Sequence, residues 1–112
     1  MVETPAIRFF CPYLHGDVEM TEEWERHIAE RHPDLLPAHR ERIAQTLAKP
    51  DEVRASARFG NARLFSRWYN DLKKGKCVVV VVVSETAPRR HWIITAYMAR
   101  KLAGGKAEWT GN

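Results

Sequence analysis

A chain of 112 residues, 45% hydrophobic and 29% charged, suffices for one domain around one core and is too short for two. No apolar run approaches the roughly 18 to 20 residues that span a bilayer as a helix. The net charge of +4 hides an asymmetry: residues 1–53 carry six Lys/Arg against eleven Asp/Glu, and residues 54–112 carry twelve against three. The basic second half suits an anionic partner, of which nucleic acid is the commonest large one, or else the acidic first half.

Met1-Val-Glu-Thr-Pro5 lacks the basic region and apolar stretch of a signal peptide, so the expected compartment is the cytoplasm. There Cys11 and Cys77 should be free thiols, and two distant cysteines form no metal pattern. Residues 7–13 are apolar up to a break at Pro12, and His15-Gly16-Asp17 is a turn signal before a short return strand at Val18-Glu19-Met20. The first section is thus an arm or hairpin. Thr21 is a plausible N-cap, with Glu22 and Glu23 in a favourable position for the helix dipole. That helix should end near His32, because Pro33 disfavours helical geometry in the residue before it. Trp24, Ile28 and Arg31 mark one face, with His27 beside them. A second helix should start near Leu36 or Pro37, bury Leu36, Ile43 and Leu47, and stop before Lys49-Pro50-Asp51.

From Glu52 the period becomes that of strands: 52–57, then 62–69, a valine strand, and 91–98. A final edge strand is read at 107–109. Val78 to Val83 are six consecutive valines with no polar alternation, the pattern of a central strand covered on both faces. The expected fold is therefore α+β: an N-terminal arm or hairpin, two helices, then a four-stranded antiparallel sheet in a single domain over residues 1–112.

Alternation sorts the candidate chemistry. Phe65, Arg67 and Tyr69 share one strand face, as do Thr95 and Tyr97 on the fourth strand. If both sets face the same way, a cation and three hydroxyls line a groove suited to a phosphodiester. His27 is the candidate proton-transfer group, and His32 is expected to cap the first helix. His15, His39 and His91 read as turn or surface residues. His32, Arg63, Lys73, Lys74, Arg89, Arg90 and Lys101 are the further candidates for RNA contacts. No phosphate-binding glycine loop and no metal-ligand cluster occurs, so any activity is expected to need no metal or cofactor. RNA cleavage through the adjacent 2′-OH fits, since it needs a base, a cation and an acid.

The order Trp24-Glu-Arg-His27-Ile28, Arg31-His32-Pro33-Asp34, Ile43-Ala-Gln-Thr46-Leu47, Pro50-Asp51-Glu52-Val53, Leu64-Phe-Ser-Arg67-Trp-Tyr69, the valine strand and Trp92-Ile-Ile-Thr95-Ala96-Tyr97 resembles small bacterial and phage-associated domains of the barnase–EndoU–colicin–RelE-like nuclease superfamily. The resemblance covers residues 18–102. It implies a RelE/barnase-like sheet and metal-independent ribonuclease activity, often as a toxin countered by an antitoxin or immunity protein. It carries His27 over as general acid or base, Arg67 as the phosphate cation, and Thr95 and Tyr97 as groove hydroxyls, with Tyr69 beside them. The alternatives are a non-catalytic nucleic-acid- or protein-binding module on the same fold, and a homodimer that covers the second face of the valine strand.

Overall fold

The computed structural model describes residues 6–58, 60–72, 75–100 and 106–111. The valine run forms the long central strand β5 (Lys76–Thr86). β-branched side chains are restricted at χ1 and pack well on a pleated surface, so the run is stable as a strand once both faces are covered. It pairs antiparallel with β4 (Ala62–Tyr69) on one side and β6 (Arg89–Ala99) on the other. β3 (Glu52–Ala55) pairs antiparallel with β4 and completes the expected four-stranded meander.

The sheet does not stop there, and the four-stranded antiparallel expectation is corrected. β1 (Ala6–Cys11) and β2 (Gly16–Thr21) form a hairpin, joined by a 3₁₀ turn over Pro12–Leu14 and by His15 in the left-handed region at φ 55°. The hairpin buries Cys11, Val18 and Met20 completely and docks on β6 through the parallel pair Glu19↔Trp92. At the opposite edge, β7 (Lys106–Thr110) pairs antiparallel with β3. The result is one mixed, seven-stranded sheet in the order β1-β2-β6-β5-β4-β3-β7. Both additions are non-local pairings. Local alternation marks a strand but does not say which edge receives it.

Helix α1 (Glu22–Arg31) begins where the Thr21 hydroxyl accepts a hydrogen bond from the Trp24 amide at 3.2 Å, with Glu22, Glu23 and Glu25 in the first turn. It lies against β2 and β6 and buries Ile28. Helix α2 (Arg40–Ala48) starts later than expected. Residues 33–39 form turns that bury both Leu35 and Leu36, and Pro33 and Pro37 lack the amide a helix needs. α2 buries Ile43, Thr46 and Leu47 and packs on β1, β4 and β5. Among the described residues no helix is long and apolar enough to cross a membrane.

The register divides the sheet into two faces. Val78, Val80 and Val82 belong to the main core with Phe65, Tyr69, Ile93 and Ala96. Val79 and Val81 form a second cluster with Ala62, flanked by Leu64, Val83, Ile94 and Tyr97. A bulge in β6 opposite Val81/Val82 inserts Ile94 as an extra residue, so Thr95 pairs with Val81 and Ile93 with Val82.

Candidate functional site

The helix-bearing face is organised on β4. Phe65 is fully buried at its centre, and Arg63 and Arg67 lie two residues to either side, on the same face. The 3₁₀ turn places Tyr13 edge-on over Phe65, ring centroids 5.8 Å apart at 80°. Tyr13 donates its hydroxyl proton to Glu108 Oε2 at 2.8 Å, and the same oxygen accepts from Arg63 Nε at 3.0 Å. Burial, then the hydrogen bond and charge of Glu108, push the Tyr13 phenol above its usual range and keep it protonated as a donor. Tyr13 is thereby held as a partition. It borders two cavities, one containing Arg67 and the other Arg63.

The first cavity, about 700 Å³, is walled by Tyr13 and Trp109 and carries His15, Lys49, Asp51 and Arg67. Arg67 has no carboxylate partner among the described residues. It donates to the Lys49 carbonyl at 3.5 Å and sits 5.4 Å from the centre of the Tyr69 ring. Asp51 is engaged, accepting from the Trp68 amide at 2.7 Å. The ring of Trp109 is 40% exposed beside this opening. A planar cation, an ammonium-bearing residue and an exposed indole thus share one hollow.

The second cavity, about 580 Å³, contains Arg63, Ser84, Arg89 and His91. Arg89 donates to the Leu14 carbonyl, which ties β6 to the 3₁₀ turn. His91 is buried, with Nδ1 2.7 Å from Ser84 Oγ, and Nε2 has no hydrogen-bond partner among the described residues. Burial first, then the charges of Arg89 and Arg63, lower the His91 pKa and hold the imidazole neutral.

The structure separates the residues expected to act together. Arg67 and Tyr69 pair with Val78 and Lys76 and lie on the helix-bearing face, whereas Thr95 and Tyr97 pair with Val81 and Val79 and lie on the other. The bulge in β6 sets this parity beyond Ile94. Tyr69 is nearly buried. Its hydroxyl contacts Thr46 Oγ1 at 3.1 Å and donates to the Arg42 carbonyl at 3.3 Å, and burial is the main cause that raises its pKa. It tethers α2 to the sheet and does not line the first cavity. His27 shares a smaller hollow of about 350 Å³ with Thr95, Trp24 and Arg31, and its Nε2 is 3.8 Å from Glu23. Tyr97, whose pKa burial raises, has its ring 5.9 Å from that of His32. Arg90 pairs with Glu19 at 3.3 Å and covers Trp92. Lys73, Lys74 and Lys101 lie outside the described residues.

Tyr13, His15, Lys49, Trp109 and the Ser84–His91 pair were not among the residues singled out. The last was within reach: Ala87 and Pro88 are the two residues of a tight hairpin loop, which sets Thr86 opposite Arg89 and Ser84 opposite His91. For Tyr13 no local signal existed, because its role arises from contacts to Phe65 and Glu108 far along the chain. Among the described residues no group of three or more His, Cys, Asp or Glu is placed to hold a metal ion. Comparison with protein-family models, with curated proteins and with solved structures finds no match.

Proposed function

We propose that the helix-bearing face binds single-stranded RNA in the first cavity. Arg67 takes a backbone phosphate, Lys49 adds positive charge at the rim, and a base stacks on the exposed indole of Trp109. The observation that carries this reading is Arg67, a guanidinium with no carboxylate partner among the described residues, set in a hollow walled by two aromatic rings. Stacking on an aromatic side chain contributes about 1–3 kcal/mol per base and tolerates any base, while Arg supplies a fork for phosphate oxygens.

Cleavage is the second reading, favoured by His15, which lines the same cavity as Arg67. An imidazole beside a phosphate-bound cation takes the proton of the attacking 2′-OH and returns it to the 5′ oxygen that leaves as the P–O5′ bond breaks. His27 belongs to the separate hollow beside Thr95, so in this arrangement the proton-transfer role falls to His15.

Fluorescence anisotropy with labelled single-stranded RNA at low salt tests the binding. Arg67→Ala should weaken it by about tenfold or more and reduce the salt slope by about one. Trp109→Ala should weaken binding with the salt slope unchanged. Absence of binding by the folded wild-type protein would remove the proposal. The same RNA incubated with EDTA decides between the readings: fragments ending in 2′,3′-cyclic phosphate that disappear in His15→Ala establish cleavage, and intact RNA leaves a binding module.

A further inference from the structure

The second cavity differs from the first in bringing two arginines, a serine hydroxyl and a histidine together. Arg63 and Ser84 share the helix-bearing face of the sheet with His91, through the pairs Arg63↔Val82 and Ser84↔His91. His91 is only 8% exposed, and its Nε2 is shielded from solvent. The imidazole lines a hollow that holds two arginines, and its Nδ1 lies 2.7 Å from Ser84 Oγ, so a bound anion would act on its charge. Arg89 has no carboxylate partner among the described residues. Its guanidinium is positioned by the Leu14 carbonyl, which satisfies a donor and leaves the charge uncompensated.

We propose that this cavity is a binding site for a phosphate group, either free or as a phosphomonoester, held by Arg63, Arg89 and the Ser84 hydroxyl, with His91 taking up a proton as the ligand binds. Arg89, the donors of Arg63 not used by Glu108 and the Ser84 hydroxyl supply hydrogen bonds for a tetrahedral dianion, and an imidazolium behind Ser84 adds positive charge. The groups facing His91 fit a proton-linked site. Arg89 on its own strand and Arg63 on β4 are positive, and both hold the empty imidazole neutral. Tyr13, with its phenol protonated, and His15 border the hollow from the 3₁₀ turn. Glu108 on β7 is occupied by Tyr13 and Arg63, and Glu85 is an exposed carboxylate at the rim. A dianion between the arginines reverses the field at His91 and favours the imidazolium, whose Nδ1–H donates to Ser84 Oγ and leaves the serine proton for the ligand. The site is separate from the proposed RNA contacts on Arg67 and Trp109, so it stands or fails independently of them.

The test follows the His91 ring nitrogens by NMR during titration with inorganic phosphate, with sulfate, and with a short RNA carrying or lacking a 5′-phosphate. Sulfate remains a dianion across neutral pH, so any pH dependence of its binding belongs to the protein. The expected result is saturable binding of sulfate that tightens as the pH falls from 8 towards 6, with the His91 pKa raised by about one unit or more at saturation. His91→Gln should abolish that pH dependence. Arg89→Ala should weaken binding by about tenfold or more, and Arg89→Lys should recover part of it with the native NMR spectrum retained. Saturation by inorganic phosphate identifies a free phosphate as sufficient, whereas saturation by the 5′-phosphorylated RNA alone identifies a chain end as the ligand. No saturable shift of His91 with any of the four probes in the folded wild-type protein overturns the proposal. So does unchanged sulfate affinity in both Arg89→Ala and His91→Gln.

Discussion

The valines of β5 are chemically identical, yet alternate ones occupy different surroundings. Val78, Val80 and Val82 lie in the main core, where α2, the 3₁₀ turn and the hairpin's apolar side chains close over the sheet. Val79 is as inaccessible and Val81 is 8% exposed, but their cluster is small and its flanks, Leu64, Cys77, Val83, Ile94 and Tyr97, are only partly buried. The first face also carries the strand residues Arg63, Arg67, Ser84, Arg89 and His91, which border the first and second cavities. Core and candidate site thus share one surface. Phe65 packs beneath Tyr13, and the arginines emerge where α2 and the turn leave gaps. A rigid apolar layer under the cations holds their positions, which a mobile loop could not do as well.

Three substitutions probe this contrast. Phe65→Ala should have the largest effect, about 3–5 kcal/mol by chemical denaturation, because it removes a fully buried ring and the support of Tyr13. Loss of only about 1 kcal/mol would mean that the turn does not rest on β4. Next, Val80→Ala should cost about 2 kcal/mol, and Val83→Ala, partly exposed on the second face, less than about 1 kcal/mol. Equal costs would show the two faces to be equally covered in solution.

The smallest effect is the pH dependence attached to His91, measured in phosphate-free buffer. Burial and the two arginines lower its pKa in the folded chain, while the unfolded chain takes up the proton near pH 6.5. The contribution to stability is therefore complete above about pH 6.5 and declines as the pH falls from there through the lowered pKa. His91→Gln should remove that part of the decline. An unchanged profile would mean that the imidazole is not held neutral by its surroundings.

Much of the secondary structure was legible locally. The valine run, the 62–69 strand with Phe65, Arg67 and Tyr69 on one face, and the Thr21 cap with Glu22 and Glu23 follow from short-range chemistry. The onset of α2 was less so, because burying Leu35 and Leu36 together overrides the helical preference of a Pro-led segment. The candidate site was the least legible part. Arg67 was visible as a strand cation, but its cavity is made by Tyr13, Lys49 and Trp109, which approach from three separate elements.

What the sequence determined by itself was therefore periodic and short-range: which segments are strands, where a helix is capped, and that the central strand would tolerate water on neither face. The tertiary structure alone decided that seven strands form one mixed sheet and that a hairpin docks on β6 through a single parallel pair. It also decided that one inserted residue at Ile94 sends Thr95 and Tyr97 to the face opposite Arg67. The reason is that side chains alternate along a strand with a period of two. A single bulge reverses every position beyond it, and whether a bulge forms depends on the partner strand rather than on the residues within it.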